Sequence, residues 1–399
     1  MDNAELDALL TPDALRLLDE LDPVVTVGDV AHTVSRLRAA GHSPALVSAV
    51  VGQVRLRDKA EAKFPGFARR MLFTRAGLEQ ATRMSVSAHH AARFRQAGLR
   101  RVADLGSGIG GDSLAFAALG LGVLAVDADE ITAALAAYNL SPFRQDGGGV
   151  EVRSGRAEET DLAGIDGVWL DPARRTTGHS ETRRVTADDY SPRLDWAYEL
   201  AERIPVGMKL SPAHDRDTIP DGWEAQWITV DGSTVELVLW SGTLAREGVT
   251  RSALVIRGDT VAELTAARDT EDEPVRPLGA FVHEPEGAVI RSRLVGDVAR
   301  LLDAGPVADG IAYLTGDTEI TSPFARSFRV RETLPADQKK LQKALRERGI
   351  GVLEIKKRGV DVDPAAFRKK LKLQGDKSAV LFLTRIGGAR TAILADRLS

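Results

Sequence analysis

The stretch that most constrains this chain runs from Arg101 to Asp127, RVADLGSGIGGDSLAFAALGLGVLAVD. Val102, Ala103 and Leu105 read as a short buried strand that carries Asp104 near its end. Gly106, Gly108, Gly110 and Gly111 then form a turn in which nearly every position tolerates positive φ. Asp112 or Ser113 is placed to cap a helix whose apolar residues, Leu114, Phe116, Ala117 and Leu119, recur at helical spacing. Gly120 and Gly122 close that helix, and Val123 to Val126 make a second strand ending at Asp127. Strand, glycine turn, helix, strand and acid together predict a nucleotide-binding βαβ unit. An ordinary tight turn is disfavoured because the acid follows at about the ~20-residue distance such units use.

The glycines alone do not choose the nucleotide. GSGIGG satisfies G-x-G-x-x-G, so a nicotinamide- or flavin-dependent oxidoreductase is an alternative. Asp104 argues for S-adenosylmethionine: two residues before the first glycine, its charge repels a pyrophosphate and attracts a methionine ammonium. A second argument comes from Trp223–Val230 and Thr234–Trp240, two extended runs separated by Asp231-Gly232-Ser233. They predict an antiparallel hairpin, which a purely parallel dinucleotide sheet lacks.

These residues carry a resemblance. VADLGSGIGGDSLAFAALGLGVLAVDADEITAALAAYNL resembles the cofactor region of class I S-adenosylmethionine-dependent methyltransferases, particularly the trimethylguanosine synthase type of RNA methyltransferase. The resemblance implies that the backbone at Gly106, Gly108 and Gly110 passes against methionine and ribose. It sets Asp104 near the amino group, Asp127 on the ribose hydroxyls with Ala128 beside it, and backbone groups near Ala157 on the adenine. The segment Phe73 to Gln96 is one that in such enzymes folds over the methionine end, which makes Gln80 and Thr82 candidate contacts. Helix capping is the competing role for Thr82. An acid common beside the adenine is replaced here by Arg156.

Gly167–Leu170 reads as the fourth strand and ends in Asp171-Pro172-Ala173-Arg174-Arg175. Ligands of open α/β sheets sit at such carboxyl ends. Amine methyltransferases carry here an acid, Asn or Ser, then Pro-Pro and an aromatic. The side chain and a rigid carbonyl accept hydrogen bonds from the nucleophile, and the aromatic stacks on the base. Asp171 and Pro172 match that pattern; Ala173 and Arg174 do not, although the guanidinium plane of Arg174 can also stack on a base. The polar run Arg175 to Ser191, with Arg175, Arg183 and Arg184, predicts an ordered active-site loop.

The rest of the chain is organised around this unit. Asp7–Leu21, Val27–Ala40 and Pro44–Asp58 show helical spacing, so residues 1–73 form an N-terminal helical region. Residues 74–257 make the Rossmann-like methyltransferase domain, with Val150–Arg153 and Val206–Leu210 as further strands. Helices are predicted from Asp129 to Leu140, and from Pro192, in the favoured first position, to Arg203. The acidic residues of 258–277 read as a linker. Residues 278–399 form a small α+β domain. It has a strand at Phe328–Arg331, a helix from Pro335 to Arg348, a strand at Gly351–Lys356, a helix from Pro364 to Leu373, and strands at Ala379–Arg385 and Thr391–Ala395. It resembles the ferredoxin-like, THUMP-like domain that accompanies such methyltransferases in bacteria, and THUMP domains bind RNA.

Charge points the same way. The formal charge of −4 over 399 residues divides into +11 from Thr321 onward and −15 before it. A basic tail on an acidic body predicts a phosphate-rich partner. IKKRG and FRKKLKLQG make Lys356, Lys357, Arg358, Lys369 and Lys370 the candidate RNA contacts. The absence of cysteine excludes disulfides and thiolate chemistry, and scattered histidines predict no metal site. No apolar run approaches a membrane span and the N-terminus is acidic, so a cytoplasmic protein is expected. The sequence therefore predicts methyl transfer from S-adenosylmethionine to a base of structured RNA. The alternatives are the dinucleotide oxidoreductase and a non-catalytic RNA-binding protein on a degenerate methyltransferase fold.

Overall fold

The computed structural model describes residues 1–22, 26–144, 149–174 and 190–398. The chain divides into two compact units, Met1–Leu210 with Leu239–Ala245, and Ser211–Val238 with Arg246–Ser399.

The first unit opens with four helices, α1 (Asn3–Leu9), α2 (Pro12–Glu20), α3 (Val27–Ala39) and α4 (Pro44–Ala60). The single helix expected over Asp7–Leu21 is broken, because Thr11 Oγ1 accepts from Ala14 N at 3.2 Å. Pro12 then takes the first helical position, so the backbone restarts there. Val50, Val54, Phe64, Leu72, Phe73 and Leu78 bury this layer. α5 (Arg75–Gln80) and α6 (Met84–Gln96) lead into β1 (Arg101–Leu105), α7 (Gly111–Ala118), β2 (Gly122–Asp127), α8 (Glu130–Asn139), α9 (Ser141–Arg144) and β3 (Val150–Ser154). β4 (Gly167–Leu170), the short β5 (Ala173–Arg174) and β6 (Tyr190–Ser191), α10 (Leu194–Ala201) and β7 (Val206–Leu210) complete the unit. Arg193 precedes α10, so Pro192 lies before the helix rather than in its first turn. Five strands pair in parallel in the order β7-β4-β1-β2-β3. All their carboxyl ends therefore share one edge.

Asn139 ties three pieces of this unit together. Its Oδ1 accepts from Leu72 N at 2.7 Å, and its Nδ2 donates to Leu72 O at 3.0 Å and Ile109 O at 2.9 Å. It is buried, so each of those backbone groups depends on it for a partner.

The second unit holds β8 (Glu224–Val230) and all but the last two residues of β9 (Ser233–Trp240), and these strands form the expected hairpin. Asp231 and Gly232 make its turn with φ of 50° and 86°, the signature of a type I′ turn. β10 (Arg251–Arg257) pairs in parallel with β8, and β11 (Thr260–Ala266) pairs antiparallel with β10. The linker expected over 258–277 is corrected by β11. The alternation in TVAELTA is a strand pattern that the acids farther on obscured.

The remainder is one seven-stranded sheet. Its elements run β12 (Phe281–Pro285), α11 (Gly287–Arg291), α12 (Val295–Leu301), β13 (Gly305–Ala308), β14 (Ile311–Gly316) and β15 (Ala325–Leu334), then α13 (Gln338–Glu347), β16 (Ile350–Lys357), α14 (Pro364–Leu371), β17 (Lys377–Ile386) and β18 (Ala389–Arg397). The strand order is β13-β14-β12-β15-β18-β17-β16. Leu341, Leu345 and Leu371 of α13 and α14 pack on one face against Leu353, Leu381 and Leu394. Val282, Tyr313, Phe328, Phe382 and Ile393 fill the other. The sheet curls over this second core. Lys356 on β16 reaches Glu284 on β12 at 2.6 Å, whereas a flat sheet would hold those strands about 19 Å apart.

Replacing Asn139 by Ala should lower the free energy of unfolding in urea by about 2–4 kcal/mol, because it strands three buried backbone groups. Asn139→Asp, which has no donor for the two carbonyls, should cost at least as much. A change below about 0.5 kcal/mol in both variants would show that these segments are held by packing alone.

Candidate active site

The glycine turn leaves β1 through Gly106 and Gly108, with φ of 86° and 56°, and enters α7 through Gly110 at 85°. A Cβ on Gly106 would stand 3.0 Å from the carbonyl oxygen of Asp171, so glycine is required by the closeness of β4 as well as by φ. Gly106 N and Ser107 N both donate to Val126 O, at 2.9 and 3.0 Å. Asp127 pins the turn from the neighbouring strand: its Oδ2 accepts from Gly108 N at 2.8 Å and its Oδ1 from Asp129 N at 3.0 Å. Burial raises the pKa of Asp127, and these two N–H groups oppose the rise. Gly155 N donates to Asp127 O at 3.0 Å, which brings the turn Ala157–Glu159 to the same edge. Ala128 is exposed there, and Arg156 is paired with Glu158 at 3.4 Å.

The capping role expected for Asp112 or Ser113 is corrected. Gly110 occupies the cap position without a side-chain bond, and both residues turn inward. Ser113 Oγ donates to Asp104 Oδ2 at 2.5 Å, and Asp112 Oδ1 meets His90 Nδ1 at 2.8 Å. Asp104 is only 1 % exposed. Burial first, and then the charge of Asp112, push its carboxyl up to about 8, against the pull of the Ser113 bond. Asp112 moves the other way. Burial would raise it, but the bond and charge of His90, with Lys209 and Thr82, bring it below the usual range. The His90 ring lies 4.3 Å from Trp169 between centroids, within a group that includes Phe94, Phe116 and Trp240.

At the end of β4, Asp171 forms a close ion pair with Lys209, and Pro172 is buried. Lys209 Nζ also donates to Thr82 Oγ1 at 3.2 Å. Thr82 does not cap α6, whose cap residue is Arg83. It is instead buried among the polar groups of the strand ends. Lys63 fixes the approach to it by donating from Nζ to the carbonyls of Leu78, Glu79 and Ala81 at 2.8, 2.7 and 2.8 Å. The side chain of Arg174, and Arg175, Arg183 and Arg184 of the anticipated loop, lie outside the described residues. The structure thus gathers Asp104, the three glycines, Asp127, Ala128, Ala157, Thr82, Asp171 and Pro172 at one edge. It adds Lys63, His90, Asp112 and Lys209, which the sequence reading missed. A lone lysine inside the apolar strand VGMKL was the one available signal for Lys209.

The five candidate RNA contacts separate. Lys356 is enclosed: its ammonium is paired with Glu284 at 2.6 Å and Glu354 at 3.1 Å and is 13 % exposed. Arg358 packs over the Tyr313 ring at 5.2 Å and lies 4.0 Å from Glu284. Both cations are drawn in by the curl of the sheet. Lys357, Lys369 and Lys370 are exposed. Lys369 and Lys370 on α14 lie with exposed Arg368 and Lys372, and the neighbouring α13 adds exposed Lys339, Lys340 and Lys343. Among the described residues no group of three His, Asp or Glu side chains converges as a metal site, and no helix is long and apolar enough to cross a membrane.

Comparison with known proteins gives this arrangement a family. Residues 325–397 match the THUMP domain-like family, and residues 2–60 match a domain of unknown function. A solved structure from Porphyromonas gingivalis W83, described as a candidate methyltransferase, covers 100 % of this chain and 99 % of its own. Its TM-score of 0.75 at 19 % identity shows a shared fold. An uncharacterized S-adenosylmethionine-dependent methyltransferase of Mycobacterium tuberculosis, found in strains CDC 1551 / Oshkosh and ATCC 25618 / H37Rv, is 33 % identical over 321 residues. That match spans 79 % of this chain and 85 % of the relative. The cofactor choice that the glycine turn left open is thereby closed: this chain belongs to the S-adenosylmethionine-dependent methyltransferases.

Proposed function

We propose that this methyltransferase acts on a base of structured RNA, at a nitrogen presented to Asp171 and Pro172. The observation that carries the RNA acceptor is the run of exposed cations on α13 and α14, which falls inside the THUMP domain-like segment. The acid–proline pair at the end of β4, and the resemblance to the trimethylguanosine synthase type, support a nitrogen nucleophile.

The residues at the strand ends fit the cofactor. Gly106 and Gly108 place no side chain of their own on the turn, and the buried Ser107 Oγ has no hydrogen-bond partner among the described residues. The oxygens of Asp127 have lone pairs beyond those used by Gly108 and Asp129, enough to accept from ribose hydroxyls. Asp104 offers its carboxylate to the methionine ammonium. S-adenosylmethionine, when bound, supplies an activated methyl group whose C–S bond breaks with its electron pair kept by sulfur. Asp171 accepts a hydrogen bond from the acceptor N–H and aims the nitrogen lone pair, and the Pro172 carbonyl fixes a second N–H. As the nitrogen gains the methyl it gives up one proton, to Asp171 or to water. The work left to the protein is alignment and exclusion of water.

Asp104 gives the binding step a pH signature. Its carboxyl stands near 8 in the free protein, and an ammonium partner lowers it, so the complex holds fewer protons than the free protein below pH 8. Affinity for S-adenosylhomocysteine measured by calorimetry should therefore rise from pH 6 to 8, by at most about tenfold per unit, and level off above. Asp104→Asn should bind more weakly at pH 8 and lose this slope. A flat wild-type profile would remove Asp104 from the cofactor.

Transfer of labelled methyl groups to total RNA tests the acceptor directly. The wild-type chain should label RNA, and Asp171→Ala should lower turnover by about a hundredfold or more with cofactor affinity little changed. Full turnover in Asp171→Ala would reduce the strand end to a structural turn.

RNA affinity should fall linearly with salt on logarithmic axes. Replacing Arg368, Lys369 and Lys370 by Ala should flatten that line by up to about two units if each meets a single-stranded phosphate. An unchanged slope would deny this face the RNA.

A further inference from the structure

The pairing of Lys209 with Asp171 has no evident purpose as a stabiliser. Lys209 is 14 % exposed at its side chain and follows the fully buried Met208 in β7. Placing an ammonium there costs desolvation, and exchanging a buried ion pair for apolar groups of similar volume is often neutral or stabilising. An apolar residue would continue the strand without that cost. The lysine instead joins three separate elements: the end of β7, the carboxylate after β4 and, through Thr82, the segment that Lys63 clamps. Its charge is also felt by Asp112 and Lys63, so the ammonium stands in the middle of the polar groups gathered at the strand ends.

We propose that Lys209 is a positioning residue for methyl transfer, holding the Asp171 carboxylate in one orientation toward the acceptor nitrogen. This inference rests on the reading of Asp171 as the acceptor's partner. A carboxylate on a short side chain swings about two torsions, and an acid that swings aligns the nucleophile only part of the time. The ammonium anchors one oxygen, and Thr82 Oγ1 anchors the ammonium. The carboxylate plane is thereby set before the acceptor arrives, which is where alignment gains most. Lys209 touches neither reacting atom; it acts through Asp171. Arginine can keep the ion pair with a larger head, whereas methionine matches the length of the lysine stem and drops the charge.

The test uses the full chain with Lys209→Met, Lys209→Arg, Asp171→Asn and the Lys209→Met/Asp171→Asn double variant. Two readouts are taken: single-turnover methyl transfer to RNA, and the nitrogen-15 NMR signal of the Lys209 ammonium without cofactor. Lys209→Met should lower the transfer rate on the order of a hundredfold, with KM for RNA and affinity for S-adenosylhomocysteine within about threefold of wild type. Lys209→Arg should recover most of that rate. The double variant should be no slower than Asp171→Asn alone, because the lysine then has nothing to hold. In the NMR experiment the ammonium signal, slowed in exchange by its partner, should move or vanish in Asp171→Asn.

An unchanged rate in Lys209→Met, a multiplied loss in the double variant, or an ammonium indifferent to Asp171→Asn would each overturn the inference. Loss of cofactor affinity in both Lys209 variants would also overturn it, by assigning the lysine to the cofactor. A wild-type chain that binds cofactor but labels no RNA, with the ammonium still dependent on Asp171, would sink the RNA reading and support the pairing. If Lys209→Met fails to fold, the arginine variant and the NMR comparison decide.

Discussion

Two carboxylates buried under one glycine turn set the terms for the first unit. Asp104 and Asp112 raise each other's cost of ionising, and neither has bulk water to share the charge. The structure resolves the conflict by giving them different partners. Asp112 takes His90 and the field of Lys209, and Asp104 takes a hydroxyl. The aromatic group around Trp169 keeps His90 in place, so the core of the unit is arranged to support its polar edge. The parallel order β7-β4-β1-β2-β3 then delivers Asp171 and Lys209 to that same edge.

The local parts of this design were legible. Glycine spacing, the alternation of strand and helix and the acid after β2 are short-range signals, and the strands and turns they predict are present with shifts of one or two residues. The I′ hairpin was equally plain, since an Asp-Gly turn carries its own backbone requirement. The misses share a cause. Asp112 and Ser113 looked like caps because capping is decided within a few residues, whereas their real partners are set by helix α6 and strand β1 packing beside them. Lys209 finds Thr82 across 127 residues of sequence, and no local pattern announces that meeting.

Charge counting shows the same limit. The basic balance of the tail is real, but a count does not distinguish a cation on a helix surface from one folded against a carboxylate. Lys356 and Lys369 contribute equally to the sum, yet one is enclosed beside Glu284 and the other faces outward. The curl of the sheet makes that difference, and it depends on pairings between strands β12 and β15 that lie some 40 residues apart in sequence.

That curl also bears on what a sequence family is. The THUMP domain-like match begins at residue 325, at the first residue of β15. Val282 and Tyr313, which complete the core under Phe328 and Phe382, lie upstream of it. So does Glu284, the counter-charge of Lys356. Cut out at its sequence boundary, the segment would leave β15 with an open edge where β12 pairs, and part of an apolar face bare. The recurring unit of sequence is therefore smaller than the unit that can stand in water by itself. In this chain the cassette is portable only together with the strands that precede it.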